Sequence, residues 1–450
     1  MNKVLKTLAV MIAVLMLAAA FAGCQQTAVP EPADDSAPAD QTNDAEETVE
    51  EEPVAEDITL DLWGIWTTDA DPQKAVIEFA VDQLVETYPN ISIELTETET
   101  DTYKSVLPTA LATNEAPDIF YYWGAGMAQA VVEAGHVLDI TDYYNGDAGL
   151  QEKLPRGALA YTTFNDRIYG FTFSLNVGCL YCNTELFEAN GVKIPETYDE
   201  LLSAAQTFSA AGIVPMSVGA ASLWPALHQL GGLCVKEAGA EACNKALNGE
   251  ASFNTPEFIE AARKLQELAA AGMYSDSVMT VDYDASVAAF QAGNAAMMYM
   301  GSWCIGGLDE NAESSVAGKV VAMPWPDSTA GYENDFFGGS VDSFYISSKT
   351  EYPDECFQVL SKLCETLSVE GFKRGVFLPI WTIAGVDAEA SDLFKSVQEM
   401  TSSAEGYTLW WDTSLGSEKG NRCNEYVCAL LVGDMTPEDF VAAMDALVAE

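Results

Sequence analysis

The segment ITLDLWGIW alternates Ile58, Leu60 and Leu62 with polar residues. That two-residue period belongs to a strand with one buried face. In DPQKAVIEFAVDQLVETYP, Val76, Phe79, Ala80, Leu84 and Tyr88 share one helical stripe, opened by Pro72 and closed by Pro89. ISIELTE reads as a second strand, TYKSVLPTALATNEA as a helix and PDIFYYW as a third strand. Strand and helix alternating in this way predict a parallel, doubly wound α/β sheet, because parallel neighbours need crossover helices.

The alternation returns after NDRIYGFTFSLNVGCLYCN, a long and mostly apolar strand run able to carry the chain from one lobe to another. PETYDELLSAAQTFSAAG is a helix, IVPMSVG a strand, and LWPALHQLGG opens a further helix. NTPEFIEAARKLQELAAAG has a capping residue, a proline in its first turn and a terminal glycine. DASVAAFQAGN turns into the strand AAMMYMG, and YPDECFQVLSKLCETL and TPEDFVAAMDALVAE are helices. Between them, EGYTLWWDTSLGSEKGN reads as a polar, glycine-spaced loop opening beside two indoles and a carboxylate. At 450 residues the chain is too long for one ordinary core and long enough for two lobes.

The N-terminus departs from this pattern. Lys3 and Lys6 precede an apolar run from Leu8 to Ala22. That run is shorter than the ~20 residues of a membrane span and reads as a secretory signal, residues 1–23. It ends in FAGC, which resembles the lipobox of bacterial lipoproteins, with Cys24 as the lipid anchor and new N-terminus. The alternative is a plain signal peptide cleaved after small residues. Residues 25–57 contain no Lys or Arg and many carboxylates, the composition of an extended acidic tether spanning 24–57.

Composition then removes several function classes. Twenty basic and 69 acidic residues give a formal charge of −49, which repels nucleic acid and anionic membranes. Two histidines, His136 and His228, exclude a histidine-rich metal site, and any Ser-His-Asp triad must use one of them. No metal or cofactor is expected. Nine cysteines follow Cys24, an odd number. Cys179 and Cys182 form a CxxC spacing on a strand, where positions three apart face opposite sides. Cys356 and Cys364 lie two turns apart on a helix, too far to bond within it. Cys234 and Cys243 flank a short loop and are the best disulfide candidates.

The tryptophans supply the candidate chemistry. Trp66 and Trp123 end the first and third strands, Trp224 follows IVPMSVGAASL, Trp303 follows AAMMYMGS, and Trp411 comes shortly after GYTL. Ligands of open α/β sheets bind beyond the carboxyl ends of strands. Any one indole is equally well explained as packing, but five at strand exits point to a crevice. An indole face matches the C–H face of a pyranose, while carboxylates and amides meet the rim of hydroxyls. Asp412 beside Trp411, Asn176 in SLN and Asp342 in GGSVDSF are the expected polar partners. Lys and Arg are scarce around these stretches, so the expected ligand is neutral.

EAPDIFYYWGAG, RIYGFTFSLNVGCLYCNTELFEANGVKIPETYDELL, FQAGNAAMMYMGSW and LLVGDMTPEDFVAAM together resemble family 1 of the extracellular solute-binding proteins of ABC importers. This is the carbohydrate group that includes maltodextrin and raffinose-type oligosaccharide binders. The resemblance implies two doubly wound αβ lobes joined by hinge strands, of the type II periplasmic-binding-protein kind, with the ligand cleft between them. Lobe one would hold 58–172 and 342–388, and lobe two 173–341 and 389–450. It implies a site of Trp66, Trp123, Asn176, Trp224, Trp303, Trp411 and Asp412, to which the residue reading adds Asp342. The expected partners are an oligosaccharide, a membrane permease and, through lipidated Cys24, the outer face of the cytoplasmic membrane. The chain would act as a monomer and without catalysis. Two rival readings are a surface-anchored glycoside hydrolase, which needs aromatic platforms and a carboxylate pair, and a binder of a cationic or peptide ligand drawn by the negative charge.

Overall fold

The computed structural model describes residues 56–450 except 70, 329, 388 and 389. The signal segment, Cys24, the tether up to residue 55 and the expected lobe junction at 388/389 lie outside the described residues. Among the described residues, no helix is long and apolar enough to cross a membrane.

Fourteen strands run through the described residues: β1 (Ile58–Gly64), β2 (Ile91–Glu97), β3 (Ile119–Trp123), β4 (Thr163–Phe164), β5 (Arg167–Ile168), β6 (Gly170–Thr172), β7 (Ser174–Asn183), β8 (Val214–Met216), β9 (Ala295–Gly301), β10 (Val320–Met323), β11 (Asp335–Gly339), β12 (Asp342–Ile346), β13 (Leu378–Pro379) and β14 (Gly406–Thr408). The first lobe is built on a sheet ordered β2-β1-β3-β12-β6, and the second on β14-β11-β7-β9-β8. β1 pairs in parallel with β2 and β3, as the strand–helix alternation requires. Both sheets are nevertheless mixed. β12 runs antiparallel to β3 and β6, and β7 antiparallel to β9 and β11. These strands arrive by crossing from the other lobe and not through a helical crossover, so nothing compels them to run parallel.

The long apolar run is broken into β5, β6 and β7. Phe173 alone separates β6 in the first sheet from β7 in the second, and Ser340 and Val341 separate β11 from β12. The two crossings are tied together. The Thr172 and Ser340 hydroxyls lie 2.8 Å apart, and Ser340 Oγ donates to the Ser174 carbonyl at 2.7 Å.

The helical stripe of Pro72–Thr87 buries Val76, Ile77, Ala80 and Leu84, with Asp71 accepting from the Gln73 N–H at the N-terminus. Phe79 stays half-buried beneath the Arg374 guanidinium, 4.7 Å from its ring centroid. Cys179 and Cys182 pack into different clusters on opposite sides of the second sheet. All nine described cysteines are buried free thiols. The expected Cys234–Cys243 disulfide is therefore absent. Both side chains pack fully buried into one apolar core from consecutive helices, and burial holds both thiols neutral by raising their pKa.

The loop expected after Leu409 is a helix, Trp411–Leu431, that kinks at Gly416 with φ 77°. The glycines that suggest a loop serve the kink instead. A Cβ on Gly420 would sit 2.3 Å from the Asp412 carbonyl oxygen, so only glycine permits that approach.

A candidate aromatic cleft between the lobes

A cavity of about 160 Å3 opens between the lobes and is walled by both. Its first-lobe wall begins where β1 and β3 end. Trp66, just past β1, packs edge-on against Tyr121 at 5.0 Å, and Tyr121 packs the same way against Trp123 at 5.1 Å. The second-lobe wall draws on the Trp224–Ala238 helix and on Tyr283, Asp284, Trp303, Trp410 and Asp412 from later segments. Trp224 and His228 stand one turn apart on it, with ring centroids separated by 5.1 Å. His228 stacks on Trp410 at 4.4 Å and 11°, and Trp303 meets Trp410 edge-on at 5.6 Å. Trp303 Nε1 donates to Tyr283 Oη at 2.9 Å, which fixes that indole.

Five carboxylates, those of Asp71, Glu99, Asp284, Asp342 and Asp412, reach the same space. Several are held by backbone donors. Glu99 caps the Thr100–Thr113 helix through the N–H groups of Asp101 and Thr102. Asp412 accepts from Thr413 N and from Asn424 Nδ2. Such anchored carboxylates keep spare lone pairs that can accept from sugar hydroxyls. Burial raises the Asp71 carboxyl to about 6, helped by the nearby Asp284 and opposed by the Gln73 bonds. Burial also raises Asp342, while hydrogen bonds from Tyr121, Ser174 and Asn176 pull it back. His228 is pushed down to about 3 by burial and then by the Lys104 charge, so its imidazole is neutral at physiological pH.

Lys104 corrects the expectation of a site without cations. Its ammonium lies 5.4 Å from the Trp123 ring centroid in the first lobe and 5.3 Å from that of Trp224 in the second. It thus bridges the two walls through both indole faces.

Six of the eight expected site residues line this cavity: Trp66, Trp123, Trp224, Trp303, Asp342 and Asp412. Two do not. Trp411 is fully buried in the second-lobe core against Phe253 at 5.3 Å, and it is Trp410 that reaches the cavity. Trp410 is the non-helical residue before the helix (φ −48°, ψ 118°) and Trp411 its first residue, so the two indoles leave the backbone in different directions, one to the cleft and one to the core. Asn176 is buried in β7, where its amide donates to Asp342 and its Oδ1 accepts from Ser302 Oγ at 3.0 Å. It therefore fixes the hinge carboxylate from behind. Sequence reasoning missed Trp410, His228, Lys104, Tyr283 and Gln73, and the carboxylates of Asp71, Glu99 and Asp284. His228 alone left a signal, four residues after Trp224 on one helix.

Among the described residues, no group of three His, Cys, Asp or Glu side chains could hold a metal ion. The arrangement offers flat apolar faces from two separate bodies and a rim of acceptors. It is a geometry for enclosing a small polar ring.

Known proteins place this geometry in context. Residues 67–363 match the model of the bacterial extracellular solute-binding protein family. The chain is 32% identical, with a TM-score of 0.82, to a solved chain from work on xylan utilization by the thermophilic bacterium Caldanaerobius polysaccharolyticus. That likeness covers 86% of this chain and 99% of the other. A chitin oligosaccharide binding protein is 26% identical at a TM-score of 0.77, over 88% of this chain and 99% of that one. Among curated relatives, an uncharacterized ABC transporter extracellular-binding protein of Pyrococcus horikoshii is 26% identical over 58% of this chain. The match spans 61% of that relative's length. A multiple sugar-binding protein of Streptococcus mutans is 24% identical over 63% of this chain and 67% of its own. The matched region takes in the crossing strand β7 and most of the cavity wall, and the chain belongs to the bacterial extracellular solute-binding protein family.

Proposed function

We propose that this chain is the lipid-anchored binding component of an ABC importer, capturing a neutral oligosaccharide between its lobes and delivering it to a membrane permease. The observation that carries the reading is the meeting of five indoles, Trp66, Trp123, Trp224, Trp303 and Trp410, around one cavity rimmed by carboxylates. Pyranose rings stack on the indoles, and their hydroxyls donate to Asp71, Asp284, Asp342 and Asp412. Trp410 takes the stacking role first assigned to Trp411, and Asn176 acts through Asp342. The lobes divide at 172/173 and 341/342, and sugar contacting both walls favours the closed arrangement. Lipid on Cys24 holds the monomer at the outer face of the cytoplasmic membrane, raising its effective concentration at the permease. No bond is broken in this cycle. Relatives described as multiple sugar-binding and chitin oligosaccharide binding support the ligand class.

The test is a thermal-shift screen of the mature chain against xylo-, cello-, chito- and raffinose-type oligosaccharides, with spermidine as the cationic comparison. Capture of a neutral glycan raises the melting temperature in a concentration-dependent way. A shift with spermidine alone sinks the reading, and release of smaller sugars during incubation replaces it with hydrolysis.

A further inference from the structure

One side chain touches both walls of the cavity by hydrogen bonds. Trp66 Nε1 donates to Gln73 Oε1 at 3.2 Å, and Gln73 Nε2 donates to the Trp303 carbonyl at 3.3 Å. Gln73 sits in the first turn of the Pro72–Thr87 helix, held there by its own N–H to Asp71 Oδ1 at 2.9 Å. Trp66 belongs to the first lobe and Trp303 follows β9 in the second. The lobes also approach closely beside this contact, where a Cβ on Gly306 would lie 2.9 Å from the Pro72 side chain.

We propose that Gln73 is a positioning residue that couples the Trp66 stacking face to lobe closure. Its amide accepts from the Trp66 indole with one end and latches the Trp303 backbone with the other. The bond to Trp66 lies within one lobe and survives opening, whereas the bond to Trp303 exists only when the lobes meet. A sugar resting on Trp66 fixes that indole, the indole fixes the amide rotamer, and the rotamer aims Nε2 at the second lobe. An interaction made only in the closed arrangement shifts the equilibrium toward closure by its full worth. The amide is suited to this because it is acceptor and donor at once, which neither Glu nor Leu is at neutral pH.

This rests on the capture reading above, and the experiment separates the two. Wild type, Gln73→Glu and Gln73→Leu are titrated with xylotriose, cellotriose, chitotriose and raffinose, with dissociation rates by stopped-flow and compaction by small-angle scattering. If wild type binds none of the four, the capture reading falls and the latch with it. Where wild type binds, both variants are expected to bind roughly 10-fold more weakly through faster dissociation, with melting temperatures of the sugar-free proteins unchanged. Gln73→Glu keeps the acceptor for Trp66 but faces a carbonyl without a donor. Acidification protonates the new carboxyl and restores an O–H for Trp303, so its deficit relative to wild type shrinks at low pH while that of Gln73→Leu does not. Equal affinity and equal dissociation rates in wild type and both variants overturn the latch alone. So does a deficit in Gln73→Glu that is insensitive to pH.

Discussion

Replacing Trp411 with alanine removes a fully buried indole that meets Phe253, Phe258 and Phe337 edge-on at 5.3, 6.4 and 6.3 Å. Truncating a core aromatic to alanine typically costs about 3–5 kcal/mol through lost transfer energy and the cavity left behind. Part of that returns, because the Trp411 Nε1–H is buried without a partner and removing it relieves a desolvation cost of about 1 kcal/mol. The expected loss is therefore about 2–4 kcal/mol, read as a lower denaturant midpoint with an unchanged slope. Sugar affinity of the remaining folded protein should stay within about twofold, because Trp411 does not reach the cavity. Trp410→Ala is the contrast. It strips the stacked partner from His228 and a face from the cavity, so affinity should fall by about 1–3 kcal/mol as well. Calorimetric titration alongside denaturation separates the two residues. A Trp411→Ala protein that keeps its midpoint but loses sugar binding refutes the assignment of the pair.

Other consequences can be tested alongside. Gly126→Ala places a Cβ 2.2 Å from the Ser414 carbonyl across the seam, so it should prop the lobes apart, with roughly 10-fold weaker binding and a larger radius of gyration in sugar. Asp342→Ala strands the donors of Tyr121, Ser174 and Asn176 and should destabilise the fold by about 2–4 kcal/mol, more than Asp342→Asn, as thermal melts would report. Asp71 is raised to about 6 from the ordinary 3.8, so the folded state holds the proton longer than the unfolded chain, and stability falls as pH rises from 3.8 through about 6. Asp71→Asn, which keeps the helix cap, should gain about 1–2 kcal/mol at pH 8 and nothing at pH 3, by denaturant midpoints. His228 has the opposite slope. Its folded value near 3 lies below the unfolded 6.5, so stability falls as pH drops through that window, and His228→Phe should flatten the fall.

The local periodicity of the chain carried most of the fold. Leu60 and Leu62 are buried as alternation demands, and Val76, Ala80 and Leu84 form the buried stripe of their helix. Strand direction was less legible, because β7 and β12 enter their sheets from the opposite lobe and obey no crossover rule. Strand exits pointed to Trp66, Trp123, Trp224 and Trp303, which lie at or after the carboxyl ends of β1, β3, β8 and β9 and line the cavity. Local sequence could not separate Trp410 from Trp411, where a difference of one residue turns the indole from cleft to core. Nor could it find Lys104 or Gln73. Both act across the gap, on Trp224 and Trp303, more than 100 residues away in the chain.

The central claim is that the two aromatic walls enclose an uncharged glycan. Calorimetric titration of the mature chain with xylotriose, cellotriose and chitotriose, repeated with Trp123→Ala and Trp224→Ala, puts it most directly at risk. One indole of this pair comes from each lobe, and the account predicts saturable one-to-one binding of at least one sugar that either substitution weakens by at least tenfold. Absence of heat with every neutral sugar, or undiminished binding after both indoles are removed, would contradict it.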